Sequence, residues 1–151
     1  MGFLNFSREQ VVFQEVPGEV SLAYTISGCP LRCSGCHSAA TWPPTAGQRL
    51  TESYLCQRLD DYHGLISCVL FLGGEWQAEV LLGLLHRVAE RGIKRCLYTG
   101  LDDVSDDLKQ QLTYLKTGPW IAQLGGLESP TTNQRFIDLR SRRCLNHKFH
   151  Q

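Results

Sequence analysis

Long apolar runs are missing from this sequence. Nowhere do roughly 18 uninterrupted apolar residues occur, the length a membrane-spanning helix needs, so no span is expected. A surplus of charge is missing too: 15 Lys and Arg balance 15 Asp and Glu over 151 residues. Domains that live on phosphate contacts usually carry a basic excess, so nucleic acid is not an expected partner. The chain opens without the basic, apolar, small-residue order of a secretory signal. Met1-Gly2 begins like a myristoylation site, but Phe6 stands where that motif needs Ser or Thr. The cytoplasm is the expected location. Internal repeats, low-complexity tracts and linker-like runs are absent as well. With 42% hydrophobic and 20% charged residues, the expectation is a single domain over residues 1–151.

Cysteine is present in the wrong number for a disulfide scaffold. Seven cysteines make up roughly 5% of the chain, below the ~8–10% of such scaffolds, and the count is odd. In a reducing compartment, thiols in excess point to metal ligation or redox chemistry, with the remainder acting as small buried hydrophobes.

Strand and helix signals alternate along the chain. Residues 11–16 and 20–27 read as strands joined by a type II turn at Pro17-Gly18. Thr51 is placed to cap a helix running to about Tyr62, with Leu55 and Leu59 on one face and Gly64 as its stop. The apolar run 68–72 ends at Gly73-Gly74. A helix over 77–91 carries Leu81, Leu84, Leu85 and Val88 on one stripe and closes at Gly92. A strand over 94–98 and a helix capped by Ser105, with Leu108, Leu112 and Leu115 as its stripe, come next. Residues 120–124 read as a further strand, and from Arg135 the basic stretch with Arg140, Arg142, Arg143 and Lys148 reads as a solvated tail or a docking surface.

This alternation predicts an α/β fold of mostly parallel strands covered on both faces. A complete eight-stranded barrel takes about 250 residues, so the chain is long enough for only a partial, open (β/α) barrel. Right-handed crossovers bring the loops at 28–36, 73–76 and 99–103 to one carboxyl edge, where function is expected.

The chemistry-bearing residues fall in those loops. Cys29, Cys33 and Cys36 form C-x3-C-x2-C just after a strand. Three soft thiolates suit zinc or an iron-sulfur cluster. Zinc in a structural site wants a fourth protein ligand, for which His37 is available; a 4Fe-4S cluster held by three cysteines leaves one iron open. Gly73-Gly74-Glu75 ends the next core strand, where glycines permit close approach and the carboxylate can accept from an ammonium group. Thr99 and Gly100 end the following strand and can line the same pocket. Cys56, Cys68, Cys96 and Cys144 lack ligand spacing and read as core thiols, and His63 and His86 as surface or satisfied histidines.

The triplet resembles the cluster motif of radical S-adenosylmethionine enzymes, and Gly73-Gly74-Glu75 resembles their motif for the methionine amino group. The run from Ser27 to His37, followed by Thr41-Trp42, is similar to the activating proteins of anaerobic ribonucleoside-triphosphate reductase, as are Asn133-Gln134-Arg135 and the Pro17-Gly18 lead-in. Ser38 stands where that group commonly has asparagine, and Trp76 where it usually has proline.

The resemblance implies a radical-SAM type of partial barrel in which Cys29, Cys33 and Cys36 hold a 4Fe-4S cluster. It places the backbone of Gly35, Cys36 and His37 along adenine and Gly74 along the methionine moiety, with Gly73-Gly74-Glu75 as the motif for its amino group. Reductive cleavage of S-adenosylmethionine would then yield a 5'-deoxyadenosyl radical that takes hydrogen from a glycine of the reductase. A flavodoxin-like or other low-potential donor would supply the electron. No protein acid, base or nucleophile is assigned, because the cofactor does the hard chemistry. A radical enzyme acting on another substrate and a non-enzymatic zinc or iron-sulfur module remain the alternatives.

Overall fold

The computed structural model describes residues 2–28 and 46–150. The three cysteines of the triplet, with Gly35 and His37, lie outside them.

One open sheet of eight strands organises the described residues, in the order β3-β1-β2-β4-β5-β6-β7-β8. The strands are β1 (Asn5–Val12), β2 (Ser21–Ile26), β3 (Gln48–Arg49), β4 (Cys68–Leu72), β5 (Lys94–Tyr98), β6 (Tyr114–Thr117), β7 (Arg135–Asp138) and β8 (Arg143–Cys144). The helices are α1 (Glu52–Asp61), α2 (Ala78–Glu90) and α3 (Asp106–Gln110).

Parallel pairing is confined to the centre, where β2, β4, β5 and β6 are neighbours. Both flanks are antiparallel: β1 with β2 and β3, and β7 with β6 and β8. The expectation of a mostly parallel sheet is corrected accordingly. The short connection at Pro17-Gly18 admits only a hairpin. Glu19 N–H donates to Val16 O at 3.1 Å and Gly18 sits at φ +80°, which is the turn type anticipated.

Local signals explain the central elements. Thr51 Oγ1 accepts from the Tyr54 N–H at 3.0 Å, and Ser105 Oγ accepts from the Leu108 N–H at 3.4 Å, so each helix begins at its expected cap. Leu55 and Leu59 of α1, Leu81, Leu84, Leu85 and Val88 of α2, and Leu108 of α3 pack against Leu22, Tyr24, Val69, Phe71, Leu97 and Leu115 of the sheet. All three helices therefore share one face. The opposite face, with Ala23, Leu70, Cys96, Tyr114 and Phe136, is covered by Leu127, Leu145 and Phe149 from segments without long helices. Both faces of the sheet are covered, as expected.

Three boundaries move. β1 occupies Asn5–Val12 rather than 11–16. α3 stops at Gln110, and Leu115 lies in β6 instead of on a helix, while 120–124 form turns rather than a strand. Pairing with β5 decides this: Thr113 N–H donates to Arg95 O at 2.8 Å and Arg95 N–H donates to Thr113 Oγ1 at 3.1 Å. Leu108, Leu112 and Leu115 still reach one apolar cluster, so helical spacing could not separate the two arrangements. The basic stretch is no tail, because β7 completes the antiparallel flank and Phe136 is fully buried. Cys68 and Cys96 are core thiols as expected, Cys56 is half-buried and Cys144 is exposed.

Candidate functional site

The parallel register sets the geometry of the carboxyl edge. Thr25 pairs with Leu72, Leu72 with Tyr98, and Tyr98 with Lys116, so the next residues, Ile26, Gly73, Thr99 and Thr117, stand in one row. Gly73 N–H donates to Tyr98 O and Thr99 N–H to Lys116 O, both at 2.9 Å, which carries the pairing to the last residue. At β2 the chain leaves through Ser27 and Gly28 and returns at Ala46. Ser27 Oγ donates to Ala46 O at 2.7 Å, pinning together the two ends of the segment that carries Cys29, Cys33 and Cys36.

Gly73 and Gly74 adopt φ +102° and +111°, a backbone that L side chains rarely adopt. The direction in which a side chain would leave Gly73 is filled by the Trp76 ring, 2.7 Å from an ideal Cβ. At Gly74 the nearest groups are Leu4 and Leu81, at 3.3 and 3.6 Å. The two residues turn the chain into a 3-10 turn over Glu75–Gln77, closed by Gln77 N–H donating to Gly74 O at 3.0 Å. That turn carries Glu75 back over the sheet edge.

Glu75 Oε1 accepts from Thr99 Oγ1 at 2.7 Å. Its Oε2 is shut off from solvent and has no hydrogen-bond partner among the described residues. Burial pushes the carboxyl above its ordinary pKa, and the Thr99 hydroxyl, its own backbone N–H and the Lys116 charge only partly offset this. A desolvated carboxylate with one bare oxygen is suited to an incoming cationic donor. The structure thus brings Gly73, Gly74, Glu75 and Thr99 together, while Cys29, Cys33, Gly35, Cys36 and His37 lie outside the described residues.

Sequence reasoning missed Lys116 as part of this edge. Its Nζ lies 3.1 Å from Gly118 O, 3.4 Å from Thr99 O and 5.6 Å above the Tyr98 ring centroid. The available signal was a lysine set in an apolar strand just before Gly118-Pro119. Asn133 also sits here, donating from Nδ2 to Pro119 O at 3.1 Å, with its Oδ1 buried and without a partner among the described residues. Gln134 donates from Nε2 to Gly118 O at 3.4 Å.

The two buried thiols, Cys68 and Cys96, are not prepared for ligation. Burial pushes Cys68 up to about 12 and Cys96 well above its usual range, so both stay protonated. His63 and His86 are exposed, and no described group of three or more His, Cys, Asp and Glu side chains could hold a metal. No helix among the described residues is long and apolar enough to cross a membrane.

Residues 16–118 match the family described as the 4Fe-4S single cluster domain. The chain belongs to that family. Its matched range includes the cysteine triplet, Glu75 and Thr99, so the family's single cluster and the bare carboxylate fall within one unit. Over 99 residues the chain is also 32% identical to the pyruvate formate-lyase-activating enzyme of Clostridium pasteurianum. That stretch covers 62% of this chain and 41% of that enzyme, so the likeness spans about two-fifths of the relative's length. The donor set fits a cluster: three cysteines within eight residues of sequence would supply three thiolates and leave one iron without a protein ligand. Glu75 Oε2 fits a cationic amino group.

Proposed function

We propose that this chain is a radical S-adenosylmethionine activating enzyme that installs a glycyl radical on anaerobic ribonucleoside-triphosphate reductase. The observation that carries the reading is the bare, desolvated Oε2 of Glu75 at the carboxyl edge from which the cysteine segment departs. Cys29, Cys33 and Cys36 would hold the cluster, with one iron left open. When bound, a reduced 4Fe-4S cluster supplies the electron that splits the sulfonium into methionine and a 5'-deoxyadenosyl radical. The chain's own residues bind and orient: Glu75 receives the amino group, Gly73 and Gly74 shape the turn that aims it, and Gly35, Cys36 and His37 lie along the adenine. The radical chemistry takes place in the cytoplasm with a flavodoxin-like or other low-potential donor.

The nature of the protein substrate rests on the resemblance of Ser27 to His37, Thr41-Trp42 and Asn133-Gln134-Arg135 to the reductase-activating group. The likeness to an enzyme named for pyruvate formate-lyase favours a second reading, in which another glycyl-radical enzyme is the substrate. The test is 5'-deoxyadenosine formation by anaerobically reconstituted protein given dithionite and S-adenosylmethionine, with Cys33→Ala as control. Product from the wild type alone is expected, followed by a glycyl radical signal when the reductase is added. No product from protein carrying a full 4Fe-4S complement would overturn the reading. Product without a radical on the reductase, but with one on a different glycyl-radical enzyme, would move the substrate to the second reading.

A further inference from the structure

We propose that Thr99 is a positioning residue, which turns the Glu75 carboxylate so that Oε2 is the oxygen presented to the amino group of S-adenosylmethionine. The inference rests on the reading of Glu75 given above and adds to it the residue that sets its orientation.

The geometry allows the Thr99 hydroxyl one arrangement. Thr99 is 1% exposed, so water does not compete for its Oγ1. Leu101 N–H donates to Oγ1 at 3.1 Å, which occupies the oxygen as an acceptor and turns its proton away from that side. Among the described residues the remaining partner is Glu75 Oε1, at 2.7 Å. The Thr99 backbone is fixed as well, its N–H on Lys116 O at 2.9 Å and its carbonyl under Lys116 Nζ at 3.4 Å.

A relay therefore runs from the Leu101 amide through the Thr99 hydroxyl to Oε1 and stops there. One carboxylate oxygen is held and the other is bare. Without the hydroxyl, the carboxylate keeps only the backbone N–H of Glu75 itself, so it is held less firmly and the amino group meets a group less well aimed. Serine keeps both hydrogen bonds of the relay; valine keeps the shape and loses them.

The test compares equilibrium binding of S-adenosylmethionine with that of its analogue lacking the amino group, using anaerobically reconstituted holoprotein. Iron and sulfide content is matched across variants. Wild type is expected to prefer the amino compound, and Glu75→Gln to lower that preference about tenfold, the loss of one charge-assisted contact. Thr99→Val is expected to fall within about threefold of Glu75→Gln, and Thr99→Ser to return to within about threefold of wild type. If Thr99→Val loses the cluster, Thr99→Ala, which also lacks the hydroxyl and adds no bulk, takes its place with the same expectation.

Wild-type preference in Thr99→Val, alongside its loss in Glu75→Gln, would overturn the positioning role and leave the reading of Glu75 intact. Wild-type preference in Glu75→Gln would overturn both. Failure of Thr99→Ser to recover would assign Thr99 to packing and overturn the proposal.

Discussion

Glu19 Oε2, just ahead of β2, accepts from Lys94 Nζ at the start of β5 across 3.0 Å and 75 residues of sequence. Ser67 Oγ at 2.7 Å and Tyr114 Oη at 2.9 Å donate to the same carboxylate, tying β4 and β6 to the pair. This cluster closes the amino ends of the parallel strands, at the edge opposite Glu75. Burial pushes the Glu19 carboxyl up, but the hydrogen bonds from Ser67, Lys94 and Tyr114 outweigh it, and the group lies below its ordinary 4.5. Its contribution to stability is present in full above about pH 4.5 and is lost as pH falls through the folded value. Glu19→Gln is expected to destabilise the protein near neutral pH by about 2 kcal/mol, roughly 4–8 °C in Tm, and to flatten the acid limb of the stability curve. Urea denaturation across the acid range checks both effects.

Glu75 has the opposite sign. Burial holds its carboxyl above the ordinary value despite Thr99 and Lys116, so the ionised form costs the ligand-free fold some stability, and that cost fades as pH falls through the folded pKa. Glu75→Gln is expected to leave the ligand-free protein as stable as wild type or more so, by on the order of 1 kcal/mol, while weakening S-adenosylmethionine binding about tenfold. Paired denaturation and binding measurements check this. A large loss of stability in Glu75→Gln would mean that the carboxylate serves the fold instead.

Gly73 tests the turn. At φ +102°, with the Trp76 ring 2.7 Å from an ideal Cβ, Gly73→Ala meets both backbone strain and a clash. A loss of about 2–3 kcal/mol is expected, together with a shift in tryptophan emission as the ring is displaced. Adding Trp76→Ala should recover the clash and leave the strain, roughly 1 kcal/mol.

Phe136 distinguishes a structural flank from a tail. Its ring is fully buried against Tyr98, Tyr114 and Phe149, with centroids 5.2–6.2 Å apart. Phe136→Ala is expected to cost about 3–5 kcal/mol in thermal or urea denaturation. A solvated tail would register almost nothing.

Each of Cys29→Ala, Cys33→Ala and Cys36→Ala is expected to lose acid-labile sulfide and reduce 5'-deoxyadenosine formation to background. Replacing Cys68, whose thiol burial holds up to about 12, with Ala is expected to leave the cluster intact at a packing cost of about 1 kcal/mol.

The central strands and the helix starts were legible because their signals are local. Thr51 and Ser105 cap, Gly64 and Gly92 stop, and the short apolar runs at 68–72 and 94–98 are strands in any context that buries them. The stretch after Gln110 was misread because leucines at helical spacing reach the same apolar cluster from a strand. The C-terminal flank was misread because its arginines are solvent-facing partners of a strand. Arg140, for example, donates from Nη2 to Asp138 at 2.8 Å and to Tyr114 Oη at 3.1 Å while Phe136 takes the core.

By itself the sequence marked the residues suited to chemistry: a cysteine triplet at fixed spacing after a strand, a Gly-Gly-Glu at the end of the next, and a Thr-Gly after the one following. Those are properties of residue type and spacing, which survive without coordinates. Only the tertiary structure decided what they do together. That Thr99 donates to Glu75 across 24 residues, that Oε2 is left bare, and that Lys116 stands beside them depend on the parallel register of β4, β5 and β6. Register is set by side chains packing on both faces of a sheet, contacts between residues far apart in the chain, and no local pattern encodes it.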